Sequence, residues 1–105
     1  MSNILLLKDL VVYAIKVDYY MWDEKTDSEY TEPHFLTISH PPMNVITFNR
    51  EIKENLRIFN RYSEAVKYIC SHDSLKNPCF GENVRVMKIK YNFKENKWEE
   101  IKDEK

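Results

Sequence analysis

The chain has 105 residues, 43% of them hydrophobic and 31% charged, and a formal net charge of −1. That length predicts a single domain, 1–105, able to bury roughly two-thirds of the surface its unfolded chain exposes and to fold without staples. The composition argues against disorder and against a membrane-embedded protein, and a charge so near zero gives no general attraction to phosphate.

The apolar run Ile4-Leu5-Leu6-Leu7 has no basic leader and is broken by Lys8-Asp9. It is too short for a membrane span and unlike a signal peptide, so the expected location is cytoplasmic. From Leu10 to Trp22 the chain is dense in β-branched and aromatic residues. Tyr13, Ile15, Val17, Tyr19 and Met21 share one face at period two, which predicts a strand with Lys16 and Asp18 on its wetter face. Asp23 to Pro33 is acidic and nearly free of apolar residues, and the strand-like Phe35-Leu36-Thr37-Ile38-Ser39 follows it. A hairpin with a long acidic tip is expected, its second strand ended by His40-Pro41-Pro42. Residues 43–60 read as two short strands, Val45–Phe48 and Leu56–Phe59, around a polar turn. The competing reading is a helix capped by Asn49 and carrying Ile52, Leu56 and Phe59.

Ser63 is the expected N-cap of a helix whose buried face is Tyr62, Ala65, Val66, Ile69 and Cys70, ending near His72-Asp73 ahead of Asn77-Pro78. Val84 to Phe93 is a further strand, with Tyr91 and Phe93 turned towards the core and Lys88 and Lys90 towards water. Lys94-Glu95-Asn96-Lys97 is the turn of a closing hairpin, with Asn96 suited to a left-handed conformation. The predicted fold is α+β: an antiparallel β-sheet with one main amphipathic helix packed on one face and a C-terminal β-hairpin.

One glycine, Gly81, in the whole chain excludes loops that cradle phosphate with backbone amides. Cys70 and Cys79 are too few for a disulfide framework and are expected as free thiols. Cys70, His72 and Cys79, even with His34 or His40, lack a structural-zinc spacing, and Cys70 and His72 do not face each other on a helix as a nucleophile and base must. The acidic tip lacks the glycine of a calcium loop. No catalytic constellation, metal or cofactor is therefore expected.

The expected activity is binding: a small module or inhibitor directed at a protein partner, without membrane attachment. Residues 1–45 carry three Lys/Arg against seven Asp/Glu, and residues 46–97 carry eleven against six. The candidate contact surface is the acidic tip, Asp23, Glu24, Asp27, Glu29 and Glu32, with Trp22 and Tyr30 as aromatic anchors. Carboxylates there suit a basic cleft, such as the nucleic-acid channel of a nuclease. Scarcity of Gly and Ala beside abundant Lys, Asn and Ile accompanies AT-rich genomes, which makes a phage or mobile-element accessory protein with an anti-defence role one concrete version. The alternative is a nucleic-acid-binding regulator using Arg57, Arg61, Lys67, Arg85, Lys88, Lys90, Lys94 and Lys97 with Tyr91, Phe93 and Trp98. A homodimer through an uncovered sheet edge or face is also expected from the richness in aromatics.

Overall fold

A computed structural model describes residues 11–38, 46–53 and 55–101. The expectations made for Ile4–Leu7, for His40-Pro41-Pro42 and for Val45 lie outside the described residues. The strands are β1 (Val11–Asp23), β2 (Ser28–Thr37), β3 (Thr47–Asn49), β4 (Gly81–Asn92) and β5 (Lys97–Glu100), and the helices are α1 (Tyr62–Cys70) and α2 (Asp73–Lys76). Every neighbouring strand pair is antiparallel, in the order β3-β2-β1-β4-β5. The sheet is curled into a half-barrel, with the short helix packed on it and the β4-β5 hairpin closing the chain. No described helix is long and apolar enough to cross a membrane.

β1 is the central strand because both of its faces are apolar near its start. Val12 and Ala14 point to one side and Ile15 and Val17 to the other, all of them buried. The single apolar face expected from Tyr13, Ile15 and Val17 is thus half of the arrangement. β1 and β2 pair from Asp23↔Ser28 down to Lys16↔Phe35 and then separate. The segment 55–59 fills the opening as a wedge. Arg57 N–H donates to the Leu36 carbonyl and the Asn55 carbonyl accepts from Ile38 on one side, while Phe59 exchanges both backbone bonds with Tyr13 on the other. Among the described residues of 46–60 there are therefore a three-residue strand and two bridge positions, Leu56 and Phe59, and no helix.

The wedge seals two cores. On the face away from α1, Leu56 packs with Val12, Ala14, Phe35, Met87 and Ile89, flanked by Ile52 and Trp98. On the helix face, Phe59 and Ala65 pack with Ile15 and Leu36, flanked by Tyr68, Ile69, Val84 and Val86 among others. Three details of the helix differ from expectation. Its N-cap is Arg61 without a side-chain cap bond, in place of Ser63. Cys70 and Tyr62 are exposed, because the buried stripe runs through Ala65, Tyr68 and Ile69 instead. The chain then makes a second short turn of helix, α2, which buries Leu75 at 1% exposure.

Candidate functional site

β4 pairs with β1 only as far as Tyr19↔Gly81, with one more bond from Tyr20 N–H to the Phe80 carbonyl, and β3 reaches β2 only at 35–37. The outer part of the β1-β2 hairpin, about residues 20–31, therefore extends as a two-stranded arm with none of the described strands on either edge. The long loop expected over Asp23–Pro33 is not present: pairing continues to Asp23↔Ser28, and the turn is the four residues 24–27. Asp27 closes that turn at φ 55, a left-handed conformation that Asp tolerates. Asp23 Oδ1 accepts from Lys25 N–H at 3.0 Å, an Asx-type bond that fixes the turn's entry.

The turn gathers Asp23, Glu24, Asp27 and Glu29 at one end of the described structure, with Lys25 as the one basic residue between Asp23 and Glu29. Strand alternation then divides the remaining candidates. Trp22 stands opposite Glu29 on the helix-free face and Tyr30 opposite Met21 on the other. The two rings, 57% and 46% exposed, present apolar area on both sides of the arm. Glu32 is separate from the tip. Its Oε1 lies 3.6 Å from Arg50 Nη2 and 3.7 Å from His34 Nε2, at the root of the arm.

That root is rigid. The rings of His34 and Tyr19 stack in parallel at 4.5 Å, and Phe80 packs on Tyr19 at 5.5 Å and on Phe48 at 5.2 Å. Glu32 Oε1 and His34 Nε2 are buried without a hydrogen-bond partner. On the helix-free face, Asp18 accepts from Arg85 Nη2 and from Asn83 Nδ2, each at 3.2 Å, and Lys16 meets Glu100 at 2.9 Å. These partly buried pairs hold β1 to β4 and β5 just below the arm. Asn83 carries a β-bulge at φ 63, since Lys16 faces Arg85 while Asp18 faces Glu82. Two surface residues absent from the sequence-based candidates, Tyr20 and Glu82, meet here with the hydroxyl donating to the carboxylate at 3.4 Å. A contact spanning 62 positions leaves no local signal in the sequence.

The basic candidates divide as well. Arg57 lies over the Phe59 and Tyr68 rings at 5.5 and 4.9 Å, which commits its guanidinium to intramolecular packing. Tyr91 meets both Phe93 and Trp98 edge-on, at 4.8 and 5.1 Å. Phe93 sits in the β4-β5 turn at 49% exposure and not in the core as expected. Cys70 and Cys79 are free and exposed. Among the described residues no three His, Cys, Asp or Glu side chains come together to hold a metal. No family model matches the chain, and no curated protein or solved structure is significantly similar to it.

Proposed function

We propose that the chain acts by binding, without catalysis, and that the β1-β2 arm is the element that enters a basic cleft of a cytoplasmic protein partner. The observation that supports this reading is the arm itself: a two-stranded ribbon, held at its root by aromatic stacking, with carboxylates at the tip and Trp22 and Tyr30 exposed on opposite faces. Few exposed features combine a rigid mount, aromatic anchors and one sign of charge, and interfaces take most of their energy from such anchors while charge governs approach. A nucleic-acid-handling protein has the kind of cleft this charge fits, so inhibition of a host defence nuclease is the version we favour.

The test is capture from a host extract, with nuclease treatment as a control, followed by binding kinetics with the captured protein. Neutralising Asp23, Glu24, Asp27 and Glu29 together is expected to slow association with little change in stability, and Tyr30→Ala to speed dissociation. Unaltered rates for these variants, with weakening by Arg or Lys changes in 57–97, would replace this reading by direct nucleic-acid binding at the C-terminal hairpin. The feature favouring that second reading is the exposed Phe93 with Lys94 beside it. Binding of a single-stranded oligonucleotide that falls steeply with salt would identify it.

A further inference from the structure

β5 covers only part of the outer edge of β4. It pairs from Asn92↔Lys97 to Ile89↔Glu100, and one last bond runs from Ile101 N–H to the Lys88 carbonyl. From Met87 back to Gly81, no described backbone group bonds to that edge. The ladder on the other side of β4 fixes which groups point there. Tyr13 exchanges both of its bonds with Phe59, so its partner Lys88 turns its own N–H and C=O away from β1, and alternation turns those of Val86 the same way. The N–H and C=O of Val86, with the Val84 carbonyl beside them, thus form an open row just beyond the end of β5.

The space beside this row has the shape of a strand's place. A cavity of about 400 Å³ is lined by Arg85 and Met87 from one face of β4 and by Val86, Tyr13 and Tyr62 from the other, with Ile101 at its end. Lining from both faces puts the cavity at the edge itself, where a neighbouring strand would lie. A second cavity, of about 510 Å³, follows along the same edge between Val84 and Ile69 of α1. Tyr62, Val66 and Ile69 fall at i, i+4 and i+7 on one side of α1, so the helix forms an apolar wall above the edge. That wall is open to contact, with Tyr62 58% exposed and Val66, Val84 and Val86 half-buried.

We propose that a short extended peptide segment of another protein adds to β4 at residues 84–88, in line with β5, and seats alternate apolar side chains against Tyr62, Val66 and Ile69. An extended main chain carries donors and acceptors at the spacing of the open row, whereas a helix or a small apolar molecule would leave the groups of Val86 unpaired. The neighbours set the length of the segment. Val84 and Lys88 are about 13 Å apart at the usual strand rise, and β5 closes the edge beyond Lys88. The β4 of a second copy, 12 residues long, would run into β5 when centred on Val86, which favours a free segment over a dimer. The site shares no residue with the arm, so it and the proposed function stand or fail separately.

The probe is a displayed library of random heptapeptides selected on the full chain, with the strongest binder then made as a free peptide. Hydrogen exchange is expected to show the Val86 amide fast in the chain alone and slowed once the peptide is bound. Methylating the peptide's backbone nitrogens one at a time is expected to abolish binding at every second position and to spare it between them, because only alternate N–H groups face β4. Val86→Pro removes the edge donor and is expected to abolish binding. Tyr62→Ala, on the exposed side of α1, keeps the test open should that variant fail to fold, and is expected to weaken binding about tenfold with circular dichroism unchanged. Four results would each overturn the proposal: no peptide enriched, a methylation scan without a period of two, a folded Tyr62→Ala that binds as the parent does, or a Val86 amide already slow in the chain alone, whether covered by its own residues or by a second copy.

Discussion

Tyr20 has a phenol that titrates above the ordinary tyrosine value. Partial burial is the largest cause, followed by the charge of Glu82 and its hydrogen bond, then by Glu29. Because the folded state favours the neutral phenol, its contribution to stability is complete below the unfolded value and is lost as pH rises through the folded one. Glu82→Gln is expected to move this titration back towards the ordinary value without fully restoring it, read from phenolate absorbance with Tyr20→Phe to assign the band. A different local constraint explains the single glycine. A Cβ at Gly81 would lie 2.5 Å from the Asp18 carbonyl oxygen, so β4 approaches β1 there more closely than any side chain permits. Gly81→Ala is expected to destabilise the protein by about 1–3 kcal/mol in urea denaturation, the range for forced overpacking. Two positions on, Asn83→Val removes the bond to Asp18 and places a β-branched residue at positive φ, at a cost of about 1–2 kcal/mol from the backbone alone.

Packing at the level of elements decides which apolar positions matter. Leu75 of α2 is fully enclosed, and Leu75→Ala is expected to cost about 2–5 kcal/mol, whereas Ile69→Ala on α1, whose side chain keeps some solvent contact, falls at or below the low end of that range. Chemical denaturation of the two variants side by side checks the order. The elements with a strong period were legible in the sequence: β1 from its β-branched and aromatic density, β4 from its alternation, and the β4-β5 turn from Asn96, which adopts φ 55 as its type allows. The α+β class followed from them. Less legible were features set by partners distant in the chain. Tyr13 and Leu36 gain the wedge 55–59 as a neighbour, and that makes both faces of β1 core. Cys70 fits a helical stripe, but the stripe turns towards Phe59 and away from it. The acidic stretch after Trp22 looked like loop because carboxylates are poor strand formers; cross-strand pairing with the strongly β-prone Tyr19–Trp22 carries it as strand. Of the candidate residues, Asp23, Glu24, Asp27 and Glu29 meet at the tip as the sequence suggested. The division of Trp22 from Tyr30 by strand alternation, and the diversion of Glu32 to Arg50, required the register.

At the scale of the whole molecule, stability rests on two apolar cores joined by one wedge, and among the described residues no group of His, Cys, Asp and Glu is placed to hold a metal. Chelation is therefore expected to leave the melting temperature unchanged, whereas removal of a structural metal would lower it sharply. The polarity of the molecule is a property of topology as much as of composition. A net charge of −1 gives no hint that Asp23, Glu24, Asp27 and Glu29 gather at one end of a 55 Å body.

The arm has one more consequence, in time as well as in space. Over its middle β1 is bonded on both edges, to β2 and β4, but past Tyr20 β2 is its one partner among the described residues, and there alternate backbone N–H groups of β1 point away from β2. Local opening of the last turns of the ribbon breaks no core contact, so exchange of those amides with solvent deuterium should run far faster than at Ala14–Val17, within one continuous strand. Such a strand is its own internal clock: occupation of the arm by any binder would slow the outer amides towards the rate of the inner ones, and the residue at which the two rates meet would mark how far along the ribbon the contact reaches.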